Sequence, residues 1–168
     1  AEGIQTVVCD AYERSILMHD VVQITVSAAV AAAAQRGVSI ELFELPIYLG
    51  PQDPRPGNPQ PAVMFTTSDE ILEQKITAAR TYESAVVRQE VESFLGTRSA
   101  EGFRLETLLH SIPRTPDDLD REPRPAWEAH GERLMEAGVY DRIIRLREHV
   151  VPLARAMGCP PGGGSGFE

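Results

Sequence analysis

The segment Val7–Asp20, VVCDAYERSILMHD, most constrains what this chain can fold into. Val7, Val8 and Cys9 form a short apolar run that reads as a buried strand. Asp10 and Glu13 follow where the strand should end, and an alanine-rich helix begins at once, with His19 at its start. That helix is expected over His19–Gly37: Asp20 places negative charge in its first turn, and Gly37 suits the left-handed position that ends it. VSIELFELPIY (38–48) then reads as a second strand, closed by Pro46 and Tyr48. Strand, helix and strand in such a short stretch imply a crossover connection and parallel pairing, the mark of an α/β fold. In open sheets of that kind ligands sit at the carboxyl edge of the strands, where Asp10, Glu13 and His19 fall.

With 168 residues, 42% of them hydrophobic, the chain can build one core, and a single α/β domain over 1–157 is expected. The net charge of −9, with Lys and Arg scattered, disfavours nucleic acid and anionic membrane as partners, since both reward a basic patch. Cys9 and Cys159 lie far apart, which fits a reducing, cytoplasmic setting better than a disulfide scaffold. No targeting segment is expected, and no run reaches the ~20 apolar residues that cross a bilayer.

Gly50–Pro61 is too rich in proline for regular structure and reads as a loop. A short strand, AVMF (62–65), precedes Thr67 and Glu70, which have capping-box spacing. Leu72, Ile76, Ala79, Tyr82 and Val86 then mark one face of a helix running towards Gly96. EGFRLETLL (101–109) reads as a strand or a short helix, and SIPRTPDDLDREPRP (111–125) as an exposed loop. C-terminal helices are expected at Ala126–Ala137, stopped by Gly138, and at Tyr140–Met157, where Pro152 should kink or interrupt the turn. Residues 158–168 have the composition of a flexible tail.

Three segments in order resemble the zinc-dependent N-acetylglucosamine deacetylases of the PIG-L or LmbE type. They are Tyr12-Glu13-Arg14-Ser15-Ile16-Leu17-Met18-His19-Asp20, then Glu44-Leu45-Pro46-Ile47-Tyr48, then Lys75, Ala79, Tyr82 and Ser84. The family shows Tyr-Glu, two glycine-like positions and His-x-x-His-Asp opening a helix, then Glu-Leu-Pro-x-Tyr, then a helix with Lys, Ala and an aromatic residue. The resemblance spans roughly Val7–Phe103. It implies a partial Rossmann-like three-layer fold with a mostly parallel sheet, corresponding to the second half of a deacetylase. It also implies zinc as cofactor with His19 as one ligand, and an N-acylated sugar as substrate. Asp10, Glu13 and Asp20 become candidates for contacting substrate or supporting the ligand.

The departures matter as much. The His-Pro-Asp-Asp-Glu segment that supplies the family's other protein ligands and general base has no counterpart here. Ile16 replaces the histidine that assists the reacting amide, and Met18 replaces an accompanying aspartate. Isoleucine neither donates a proton nor stabilises an oxyanion, so no catalytic residue is assigned. Two functions follow as expectations: part of a metal-dependent hydrolase completed by another chain or protomer that also pairs with an open strand edge, or a degenerate module that binds a partner or ligand without turnover. Cys9 reads as a buried apolar residue, His110, His130 and His149 as surface or helix-face residues, and Arg104 and Arg114 as partners of nearby carboxylates.

Overall fold

The computed structural model describes residues 3–47, 62–98 and 103–158. Tyr48, the proline-rich Gly50–Pro61 segment, Cys159 and the tail beyond it lie outside the described residues. The chain divides into two compact units, one formed by residues 1–60 and 109–168 and the other by 61–108.

In the first unit, β1 (Thr6–Asp10) pairs in parallel with β2 (Glu41–Leu45), Cys9 opposite Glu44. The connection is α1 (Leu17–Ala34), which starts two residues before the expected His19 and ends at Ala34; Gly37, with the expected left-handed φ of +78°, lies in the turn that follows. Phe43 and Glu44 of β2 also pair, antiparallel, with His110 and Leu109. Three helices complete this unit, one of them expected as loop and one misjudged in length. Residues 111–125 hold α4 (Pro116–Arg121), opened by a capping box between Thr115 and Asp118 with Pro116 in the first turn. Proline is welcome there because the first helical N–H groups have no intrahelical partner to lose. Next comes α5 (Ala126–Glu136), with Gly138 at φ +71° behind it. The expected Tyr140–Met157 helix is shorter: residues 140–145 are irregular, Leu146–Val150 form a π-helical turn, and α6 covers Val151–Ala156. Pro152 explains the change, since its ring would clash with the carbonyl four residues back, and the wider π-turn hydrogen-bonds Val150 N to Arg145 O instead. Ile24 and Ala28 of α1, Tyr12, Leu119, Trp127, Leu146, Val150, Val151 and Ala154 form one core.

In the second unit, β3 (Val63–Thr66) pairs antiparallel with Leu105–Leu108 of β4 (Leu105–His110). The 101–109 segment is thus a strand at its C-terminal end. The expected single helix over 67–96 is two, α2 (Asp69–Arg80) and α3 (Ala85–Arg98), broken at residues 81–84. The cap of α2 is Ser68, which accepts from Ile71 N, rather than Thr67.

The class is α/β, as expected, but the sheet is mixed rather than mostly parallel: one of the three described pairings is parallel and two are antiparallel. The break at 81–84 accounts for part of this. A single helix between two strands returns the chain in the same direction, whereas a pair of helices adds one reversal and brings β4 back antiparallel to β3. Helix α1 spans 18 residues at mean hydropathy 1.5, long and apolar enough to cross a membrane by length and composition. Its buried residues nevertheless include Asp20, Gln23 and Ser27, and the hydrogen bonds of Asp20 and Gln23 with residues outside the helix suit a packed helix.

The unexpected α4 gives a direct test of this packing. Leu119→Ala, at a site with no exposure, should cost about 2–5 kcal/mol, and Thr115→Ala about 1 kcal/mol. Urea denaturation followed by far-UV circular dichroism should show both, in that order; equal, negligible effects would place α4 outside the cooperative core.

Candidate functional site

The loop after β1 is organised by one carboxylate. Asp20 is 1% exposed. Its Oδ1 accepts from the backbone N–H groups of Glu13 and Arg14, both at 3.0 Å, and its Oδ2 accepts from Trp127 Nε1 at 2.8 Å. Arg14 adopts φ +61°, a left-handed conformation that non-glycine residues occupy at a cost. That conformation is held by further bonds: the Arg14 carbonyl accepts from Ala126 N at 2.9 Å, and its guanidinium donates to Pro123 O at 2.6 Å and Arg124 O at 3.1 Å. Glu122 pairs with the same guanidinium at 3.3 Å. Burial pushes the Asp20 carboxyl above the ordinary carboxylate range, opposed by the three donors. Tyr12, beside it in the core, lies under the Arg114 guanidinium at 5.1 Å, and burial drives its phenol far up.

Asp20 therefore does structural work with both oxygens. His19, its neighbour in the first turn of α1, is half-buried. Asp10 is the last residue of β1, and Glu13 uses its Oε1 to accept from Ile47 N at 3.1 Å, tying the first loop to the end of β2. Among the described residues no group of three or more His, Cys, Asp or Glu side chains is placed to hold a metal ion. A zinc ion at His19 would need ligands from outside these residues, and no chemical step is derived through one.

A cleft of about 460 Å³ opens at the N-terminal end of α1. One wall is Ile16, Leu17 and Met18; the other comes from Trp127, His130 and Gly131 of α5 and from Tyr140, Arg142, Ile143 and Ile144. The Gly131 site is crowded, since a Cβ there would sit 3.2 Å from Ile143. Met18 is 63% exposed and Tyr140 49%. The Asp20–Trp127 bond links the two walls, because one partner belongs to α1 and the other to α5.

A second polar assembly lies further along α1. Gln23 donates from Nε2 towards Ser27 Oγ at 3.0 Å, Glu44 Oε1 at 2.9 Å and Ser111 Oγ at 3.2 Å, and Ser111 donates to Glu44 Oε1 at 2.8 Å. Cys9, opposite Glu44, is a buried free cysteine. Burial, then Glu44 and Asp10, raise its thiol to about 11, which leaves it neutral and poorly nucleophilic near neutral pH.

Other candidate residues have local partners. Arg114 pairs with Glu122 at 3.3 Å, and in the second unit Arg104 pairs with Asp69 at 2.7 Å. His149 accepts from Arg145 N within the π-turn. His130 lines the first cleft, and His110, stacked on Phe43 at 5.1 Å, lines a groove further along α1, so both have a setting that their sequence context does not reveal. Lys75, in the second unit, pairs with Glu106 and donates to Phe103 O.

Trp127 is the sole tryptophan, so its fluorescence reports Asp20 directly. A carboxyl whose folded-state proton affinity is raised contributes its stability in full below the unfolded value, roughly 3.9, and loses it as pH rises through the folded value. Trp127 emission should show an inflection on the alkaline side of the ordinary carboxylate range, absent in Asp20→Asn, and the variant should lose about 1–3 kcal/mol because at least one buried donor is left opposed. Identical pH profiles for both proteins would overturn the assignment.

No family model, curated protein or solved structure matches the chain, so its function is read from the chemistry of these sites.

Proposed function

We propose that the first unit is a binding module of PIG-L or LmbE-like descent, catalytically degenerate, which takes an N-acylated sugar or a similar amphipathic ligand in the cleft at the start of α1. One observation carries this reading: Ile16 and Met18, which stand where the resemblance calls for an acid and an aspartate, form the apolar wall of that cleft. Its volume suits a small ligand, Tyr140 offers an aromatic face, and Arg142 and His130 supply polar groups. The first of the family motif's two glycine-like positions falls at Arg14, whose φ of +61° suits that pattern; the second falls at Ser15, which has no positive φ. An acyl group would pack on Ile16 and Met18 and leave without being hydrolysed, since the wall offers no acid at either position.

N-acetylglucosamine, titrated into isotope-labelled protein, should shift the backbone resonances of Met18, Gly131 and Tyr140 saturably, with no acetate released. Met18→Asp should weaken binding by about tenfold, near 1.4 kcal/mol. Absence of saturable shifts, or shifts unaffected by the substitution, would rule out this cleft as the site.

A second reading is favoured by the exposed surfaces of β1 and α1. Among the described residues β1 pairs only with β2, Val8 on it and Ile4 just before it are exposed, and only 28% of α1 is buried. In that reading the unit is a Rossmann-like half completed by another chain or protomer, forming a deacetylase with His19 as one of its zinc ligands. Co-purified zinc that disappears in His19→Ala would support it. A monodisperse, zinc-free monomer by light scattering at micromolar concentration would end it.

A further inference from the structure

The C-terminal half of α1 and strand β2 border a second groove of about 520 Å³, separate from the first cleft and independent of the proposal made for it. Its sides are apolar, formed by Ala31, Ala34, Ile40 and Leu42, and its polar end carries Ser27, Ser111 and His110. Behind the two serines stand Gln23 and Glu44, 0% and 4% exposed.

The hydrogen-bonding inventory of this end is unbalanced. The Gln23 amide has two protons for three acceptors within reach, and the Ser111 hydroxyl spends its proton on Glu44. Gln23 Oε1 is buried and has no partner. Reversing the amide would not help: its oxygen would then face Glu44 Oε1 at 2.9 Å, acceptor against acceptor, and its N–H groups would be stranded instead. Unsatisfied buried polar atoms are costly, and this one lies one residue behind the hydroxyls that line the groove. The Ser27 and Ser111 hydroxyls keep acceptor capacity beside the Glu44 carboxylate, with Glu41 adding a second carboxylate at the rim and the His110 imidazole at the same end. None of the groove residues is Lys or Arg.

We propose that this groove binds a small primary ammonium compound with an apolar chain. The ammonium head donates to Ser27 and Ser111 in the field of Glu44 and Glu41, and the chain lies along Ala31, Ala34 and Ile40. A carboxylate ligand would meet repulsion at the head. A quaternary ammonium would bring the charge but no donor, so the site discriminates by hydrogen bonding as well as by sign.

The probe is n-butylammonium, titrated into the isotope-labelled 168-residue chain and followed by heteronuclear NMR at the Ser27 and Ser111 amides and the Gln23 side-chain amide. Saturable shifts are expected there, with butyrate and tetramethylammonium producing none. Glu44→Gln should weaken binding about tenfold, because it removes the carboxylate charge beside the two hydroxyls that receive the ammonium. Because that substitution touches a buried network, Ala34→Trp provides the second variant: it fills the exposed end of the groove and should abolish the shifts while the rest of the spectrum stays unchanged. The proposal is overturned if butylammonium gives no saturable shifts, if butyrate or tetramethylammonium gives the same ones, or if Ala34→Trp leaves them intact.

Discussion

The bonds of the Asp20 carboxylate hold together the part of the molecule on which everything else in the first unit depends. Two backbone N–H groups of the β1–α1 loop and the Trp127 indole converge on it, although Trp127 is 107 residues away in sequence. A buried carboxylate is expensive, and here the cost is offset by three donors that would themselves be stranded without it. The consequence is geometric. The loop is pulled into a shape that includes a left-handed Arg14, Arg14 in turn grips the 122–126 segment, and the start of α1 is fixed against α5.

Helix α1 inverts the usual arrangement of a surface helix. Its five buried residues include the polar Asp20, Gln23 and Ser27, while Met18, Ala29 and Ala32 face outward. The helix is therefore held as much by directed hydrogen bonds as by hydrophobic burial: Asp20 reaches α5, and Gln23 reaches β2 and the residue after β4. Two cavities lie along this helix: the first opens beside the Asp20 contact with Trp127, and the second lies beside the serines that Gln23 bonds.

The β1–α1–β2 unit was legible because its signals are local: an apolar run, an alanine-rich segment ended by a glycine, and a second β-rich run. The polar stripe of α1 was also written in the sequence, since positions 20, 23 and 27 share a helix face, but it took the fold to show that this face points inward. The capping box at Thr115 and Asp118 was present in a segment rich in proline and acid, where composition spoke more strongly than spacing. The break at 81–84 carries no glycine or proline and so gave no sign of itself, which is why one helix was expected and the antiparallel return of β4 was not.

By itself, the sequence determined the α/β class, the parallel first crossover and the position of His19 in the opening turn of its helix, all consequences of short-range pattern and backbone preference. Only the tertiary structure decided that Asp20 is committed to Trp127 and two loop amides, that Ile16 and Met18 wall a cleft, and that Gln23, Glu44 and Ser111 meet. Apart from the two loop amides, six and seven residues from Asp20, those hydrogen bonds join residues separated by 21 to 107 positions. No local periodicity encodes such partnerships; they arise when buried polar groups must find donors and acceptors wherever the packed chain brings them.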